Sequence, residues 1–296
     1  MTESKTILLT GGSGFVGRNI LEQLGSCYSI IAPQRAELDL LNAEEVADFF
    51  SRRHFDVIVH AAGAGVSRSQ KNLSSVFRDN TEIFSNLVRS RDGYETLISL
   101  GSGAEYDKSR ALVQVKEQSF GQAKPRDEYG RAKYFIAERI QEQSGMVDLR
   151  CFGVFGKYED YTTRFISNSI CRALAGLPIV ITQNRIFDYV YINDLVRVIA
   201  FFIEHGAGEK FYNLGSGRPL DLMRLAQLVK TATGGRAEIR VKQPGLGPEY
   251  SGNNSLLMSE LENFQFTSFE KAIGELAAWY QDNWDAVDQS RLNFDA

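Results

Sequence analysis

A short apolar run, Thr6-Ile7-Leu8-Leu9-Thr10, passes without a break into Gly11-Gly12-Ser13-Gly14-Phe15-Val16-Gly17 and then into Arg18-Asn19-Ile20-Leu21-Glu22-Gln23-Leu24. A buried strand, a glycine-rich turn and a helix in direct succession leave few folds open. Glycine permits the sharp turn and removes the Cβ that would keep another molecule off the backbone. The first N–H groups of the helix, unpaired within it, then face outward and favour an anion. Gly12, Gly14 and Gly17 fit G-x-G-x-x-G, and Gly11, Gly14 and Gly17 fit G-x-x-G-x-x-G; both spacings suit a dinucleotide pyrophosphate. The spacing alone is weak, because a strand-to-helix turn can be glycine-rich and bind nothing. Gly11, Ser13, Gly14, Phe15, Val16 and Gly17 are the expected cofactor contacts here.

The pattern then repeats. Strands are expected at Tyr28–Ala32, Asp56–His60 and Glu95–Leu100, with helices over Asn42–Arg53 and Phe77–Ser90 between them. Alternation of this kind predicts a doubly wound parallel α/β sheet of Rossmann type. Ala61, Ala62 and Gly63 follow the third strand, and small residues there leave room for a cofactor. The fourth strand runs into Gly101-Ser102-Gly103-Ala104-Glu105-Tyr106. Residues 1–152 read as the dinucleotide-binding domain. Residues 153–296 read as a smaller, mixed α/β substrate-binding domain with some segments returning to the sheet. Within it, helices are expected from Asn193 and from Pro219. Val241–Asn254, rich in glycine and proline, reads as a long loop, and the polar tail after Asp285 as frayed.

The end of the second strand bears on the choice of cofactor. An acid there accepts hydrogen bonds from the ribose of NAD, whereas an arginine pairs with the 2′-phosphate of NADP. The chain offers Gln34 and Arg35, with no acid before Glu37. Arg35 therefore points to NADP, with NAD as the alternative if Arg35 is only a solvated loop charge.

Charge and cysteine usage narrow the partners. Net charge is −4 and no basic stripe is visible, which argues against nucleic acid. No stretch approaches the roughly 20 apolar residues that cross a bilayer, and no signal-peptide pattern opens the chain. Cys27, Cys151 and Cys171 lack metal-ligand spacing, and His54, His60 and His205 lie far apart. No metal is expected, and reduced thiols fit a cytoplasmic location.

Tyr129-Gly130-Arg131-Ala132-Lys133 puts a phenol and an ammonium four apart on one helix face. Such a pair can trade a proton with a sugar hydroxyl or carbonyl near neutral pH. A surface pair is the bland alternative. The serine-bearing strand end before it and the glycine turn at the start of the chain give the pair its meaning.

Together these segments resemble the extended short-chain dehydrogenases/reductases of the nucleotide-sugar epimerase, dehydratase and reductase group. Phe187-Asp188-Tyr189-Val190-Tyr191-Ile192-Asn193-Asp194 and Tyr212-Asn213-Leu214-Gly215-Ser216-Gly217 are similar to that group's later signatures. The resemblance implies a catalytic set of Ser102, Tyr129 and Lys133. Ser102 would hydrogen-bond the reacting C4 oxygen, Tyr129 would act as acid and base, and Lys133 would hold the nicotinamide ribose. It further implies that Asp39 and Leu40 meet adenine, that Asn80 orders the lysine through water, and that members pair as homodimers.

The departures are informative. Dehydratases of the group carry an Asp-Glu pair directly after the position of Ser102, where this chain has Gly103 and Ala104. Glu105 comes one step later, and one step along a strand reverses the face. The stretch Gln34–Leu41 resembles the GDP-fucose synthase branch, which adds a cysteine two after the serine and a histidine in the substrate domain. Ala104 replaces the former, and Tyr161–Ile166 holds no histidine. Reduction of a 4-keto nucleotide sugar with NADPH is the leading expectation. An NAD-dependent 4-epimerase is the second, and a non-catalytic dinucleotide-binding regulator the third. Gly153 stands where an asparagine commonly meets the substrate diphosphate. Arg164, Asn168 and Arg185 are candidate replacements, alongside Ser102, Gly103 and Ala104 at the sugar.

Overall fold

Six short, largely apolar segments form one parallel sheet: β1 (Thr6–Thr10), β2 (Ser29–Ile31), β3 (Phe55–His60), β4 (Tyr94–Ser102), β5 (Met146–Cys151) and β6 (Phe211–Leu214). Their spatial order is β6-β5-β4-β3-β1-β2. The computed structural model describes residues 4–65 and 74–293. Along β1, Ile7 and Leu9 enter one apolar core and Leu8 enters the other, as a period of two requires. Both sheet faces are therefore covered. Helices α2 (Ala43–Ser51), α3 (Ser74–Arg89) and α4 (Glu128–Glu142) contribute Val46, Phe84 and Ile136 to the smaller core. Helices α1 (Phe15–Leu24), α5 (Phe165–Leu174), α6 (Ile192–His205) and α7 (Leu222–Ala232) contribute Ile20, Ile170, Ile199 and Leu225 to the larger one.

Local chemistry sets several helix starts. The Asn42 side chain accepts from the Glu44 and Glu45 amides, and two acids in the first turn of α2 suit its dipole. Asp127 caps α4 through the Gly130 amide, and Asp221 caps α7 through that of Arg224. In the sheet, the chain runs from β1 outward to β2 and then crosses back to β3. Strand order reverses between β1 and β3, and the crevice at their carboxyl ends is where such sheets take a ligand.

Segments outside the central sheet pair into three smaller ones. Val154–Phe155 pairs with Val190–Tyr191, and Ile179–Asn184 with Ile239–Leu246. Four segments share a third sheet, in the order 220–221, 186–187, 250–252 and 112–115. Two expectations need correction. The glycine- and proline-rich stretch Val241–Asn254 is not one long loop, because neighbouring strands satisfy its backbone in Ile239–Leu246 and Tyr250–Gly252. Nor is the tail frayed from Asp285 through Leu292. Val287 and Leu292 are buried, and the Arg172 guanidinium donates to the Leu292 carbonyl.

Candidate active site

The turn after β1 is closed by backbone. Gly11 has φ +74°, and a Cβ on it would lie 2.7 Å from the Ala62 amide nitrogen at the end of β3. A Cβ on Gly17 would run into the Gly11 carbonyl. Gly14 caps α1 without a side chain, and Ser13 and Gly14 are exposed. The first turn of α1 thus presents N–H groups with no side-chain cap beside a turn that a Cβ at Gly11 or Gly17 would break, which fits a pyrophosphate. Phe15 and Val16 pack partly into the core below it. The Ala62 amide donates to Thr10 Oγ1 at 3.2 Å, which fixes the Ala61-Ala62-Gly63 segment against the turn. Thr10 Oγ1 also lies 2.8 Å from His60 Nδ1. Burial, helped by the Lys133 charge, holds His60 down at about 3, so it is neutral and structural.

At the tip of β2 stand Ala32 and Pro33, with no acid. Glu37 closes its own turn by accepting the Gln34 amide at 2.7 Å. Arg35 is well exposed and pairs with Asp39 at 3.3 Å, a contact weak enough to exchange for a ligand phosphate. Asp39 also accepts the Leu41 amide, and the Leu40 carbonyl accepts from Asn86. Asn80 is engaged with backbone: it accepts the Ala64 amide at 2.9 Å and donates to the Ala64 and Val76 carbonyls. It thereby shapes the loop after β3.

Ser102, Tyr129 and Lys133 converge where β4 meets the start of α4. Ser102 is the last residue of β4, and its Oγ accepts the Ala104 amide at 3.1 Å. Gly130 allows the approach, since a Cβ there would lie 2.8 Å from the Ala104 carbonyl. Tyr129 is half-buried beside this contact. One turn on, Lys133 Nζ donates to the Leu100 carbonyl at 2.7 Å. Glu105 turns away from the cleft, with its side chain fully buried against Arg150.

One residue of the cleft has no clear signal in sequence. Tyr250 reaches in from the small four-stranded sheet, and a Cβ on Gly103 would meet its hydroxyl at 2.6 Å. Burial and the neighbouring Tyr129 push its phenol well above the usual range, against the Ser102 hydroxyl, which lowers it. The only hint was an aromatic residue in a glycine-rich stretch.

The candidate substrate contacts divide. Asn168 donates to the Tyr161 and Thr162 carbonyls, at 3.0 and 3.3 Å, and is buried. Arg164 stands at the N-cap position of α5 without a side-chain cap bond and is already engaged. Arg185 is half-buried, and a Cβ on Gly247 would lie 3.3 Å from its Nε. Lys157 pairs with Glu22 at 2.6 Å. Gly153 has no room for a larger residue, because a Cβ there would meet the Tyr189 ring at 2.9 Å. Asp188 binds the Ser216 and Gly217 amides, and Asp194 the Thr267 amide, so both acids tie segments together.

A family model described as "NAD dependent epimerase/dehydratase family" matches residues 7–215. A UDP-glucose 4-epimerase of Cyamopsis tetragonoloba is 26% identical over 306 residues, covering 83% of this chain and 86% of the relative. A GDP-L-fucose synthase of Sinorhizobium fredii is 25% identical over 263 residues, covering 81% and 83%. Among solved structures, a GDP-mannoheptose C4 reductase from Campylobacter jejuni with NADP bound superposes with a TM-score of 0.83 at 17% identity. It covers 95% of this chain and 99% of its own.

Proposed function

The chain belongs to the NAD dependent epimerase/dehydratase family, the extended short-chain type of NAD(P)-dependent enzyme, and on that premise we propose that it is an NADPH-dependent reductase of a 4-keto nucleotide sugar. One observation carries the reading. Ser102, Tyr129 and Lys133 meet where β4 ends and α4 begins, with the Tyr250 phenol beside them, and the two positions after Gly103 bring no further acid or base to them. Ala104 is apolar, and Glu105 is turned into the interior.

Gly11–Gly17 would hold the pyrophosphate, Arg35 the 2′-phosphate, and Lys133 the nicotinamide ribose. When bound, the nicotinamide supplies the reducing equivalent for C4. The Ser102 hydroxyl donates to the C4 oxygen and orients it. Tyr129 hands its proton to that oxygen as charge develops on it, and Lys133 offsets the phenolate left behind. Tyr250 closes the other side of the sugar. Arg185 is the candidate for the substrate phosphates.

The relation to a UDP-glucose 4-epimerase favours a second reading, NAD-dependent 4-epimerisation on the same three side chains. Incubating the purified protein with 4-keto nucleotide sugars separates the two. NADPH oxidation supports reduction; retained NAD with no net cofactor turnover supports epimerisation. Tyr129→Phe should lower turnover by about a thousandfold and leave cofactor affinity unchanged. A wild type that binds dinucleotide but turns over no nucleotide sugar is a regulator, and binding of neither NADPH nor NADH sinks both enzyme readings. We propose a homodimer contact on α3 and α4, whose Phe77 and Phe135 meet edge to face at 6.0 Å within one chain, with Arg131 over Phe77. Sedimentation of Phe135→Glu checks it.

A further inference from the structure

Beneath the end of β4 lies a patch of buried charge that reduction at C4 does not use. The side chains of Glu105, Asp148 and Arg150 are 0%, 1% and 0% exposed. Arg150 Nε donates to Glu105 Oε2 at 2.6 Å and stands 3.7 Å from Asp148 Oδ2. Its Nη1 donates to the Tyr106 hydroxyl at 3.1 Å, which donates in turn to Asn213 Oδ1 at 2.8 Å. The other oxygen of Glu105, Oε1, accepts the Ser102 amide at 2.7 Å. Asp148 lies on β5, in register with Ser99 of β4. The two carboxylates crowd one face of Gly101, where a Cβ would lie 2.6 Å from both Glu105 Oε1 and Asp148 Oδ2.

Two carboxylates around one guanidinium do not balance in a dry interior. Neither oxygen of Asp148, nor Ser99 Oγ, nor Arg150 Nη2 has a hydrogen-bond partner among the described residues. An ionised carboxylate left that way costs several kcal/mol. One proton repairs most of this. Placed between Asp148 and Glu105 Oε1, it turns a repulsive contact into a hydrogen bond and frees the second Asp148 oxygen to accept from Ser99. The other titratable groups facing the cluster are Lys133 from α4, Cys151 from β5, Tyr106 with Glu117 behind it, and Tyr250. Burial, then the charge of Asp148, raises Glu105 to about 8, and burial raises Asp148 against the pull of Arg150 and Lys133.

We propose that Glu105 is a positioning residue for Ser102, clamped from behind by Arg150 and by a proton shared with Asp148. The inference deepens the reductase reading, since it takes Ser102 as the hydroxyl that meets the sugar oxygen. Glu105 and Ser102 form a reciprocal capping box around the turn Gly103–Glu105. That box fixes the strand end, and with it the direction of Ser102 Oγ.

The first measurement needs no substrate. A carboxyl raised above its unfolded value stabilises fully at low pH, and that contribution is lost as pH rises through about 4.5 to about 8. The thermal midpoint of the wild type therefore falls over this range. Asp148→Asn keeps a hydrogen for Glu105 without a titrating proton, so its midpoint falls less; an equal slope in both proteins overturns the shared proton. The second measurement reads Ser102. Glu105→Gln lowers kcat about tenfold at unchanged KM and unchanged NADPH affinity, and the loss disappears in a Ser102→Ala background. Equal losses in the two backgrounds overturn the positioning role. If Glu105→Gln does not fold, Arg150→Lys takes its place in the same cycle. A wild type that reduces no 4-keto sugar sinks the reductase reading, and the cycle is then run on 4-epimerisation of a UDP-hexose, which needs the same serine.

Discussion

The cofactor end and the substrate end of the cleft are built on opposite principles. Around Gly11–Gly17 the ligand-facing surface is backbone, and its shape follows from missing Cβ atoms and a helix start. Around Arg164, Asn168 and Gly153 the surface is made by the start of α5 and a short loop, and side chains shape it. There a polar residue can serve either the ligand or the fold. Asn168 serves the fold, through two carbonyls. Asp188 does the same through the Ser216 and Gly217 amides. A backbone turn can be read from spacing, because Gly11 and Gly17 stand where a Cβ would meet backbone. A side-chain site cannot, because an asparagine in sequence does not say what it bonds.

Four substitutions would break or sharpen this contrast. Gly17→Ala should do most damage: its methyl meets the Gly11 carbonyl, and a loss of about 3 kcal/mol or more, with NADPH binding abolished in titration calorimetry, is expected. An alanine variant that binds normally would show that the turn is not made by close approach. Asn168→Ala should cost about 2 kcal/mol in urea unfolding and leave KM alone, because it strips donors from two carbonyls. A raised KM with unchanged stability would return Asn168 to the substrate. Arg35→Ala should weaken NADPH about tenfold and NADH hardly at all, read by fluorescence titration. Equal affinities for both cofactors in the wild type would sink the NADP assignment.

The smallest effect concerns a buried acid of the substrate half. Glu159 is raised to about 8, first by burial, against the hydrogen bond from Ser167 at 2.6 Å. Raised above its unfolded value, it stabilises below about pH 4.5 and loses that contribution as pH rises through 8. Glu159→Gln should flatten the fall of the thermal midpoint over that window by a few degrees. A midpoint profile parallel to the wild type would mean that Glu159 is ionised throughout.

Legibility in the sequence followed the same divide. Alternation of apolar strands with helices was enough for the parallel sheet, and Tyr129 and Lys133 fell on one face of α4 as their spacing implied. Tyr250 was hidden because its strand is held by partners 112–115 and 186–187, remote in sequence, rather than by any local pattern. The Glu105 cluster was hidden for a related reason. Val147-Asp148-Leu149-Arg150 alternates like a half-solvated strand, yet both of its faces are covered, and the charges answer one another across the sheet instead of meeting water. Asn80, expected to order Lys133 through water, also has bonds to the Ala64 backbone that no local pattern announces.

The sheet that carries Tyr250 also sets a timetable for synthesis. Its segment 250–252 lies between 112–115 and 186–187, so these two earlier segments have no strand between them until the last fifth of the chain emerges. A nascent chain can already hold the glycine cradle and the central strands while Leu112–Val115 presents an unpaired edge, with Val113 outermost at 61% exposure even when folded. The glycine turn can thus form before the sheet that carries Tyr250 is complete. Until then the 112–115 edge is open to pairing with another chain.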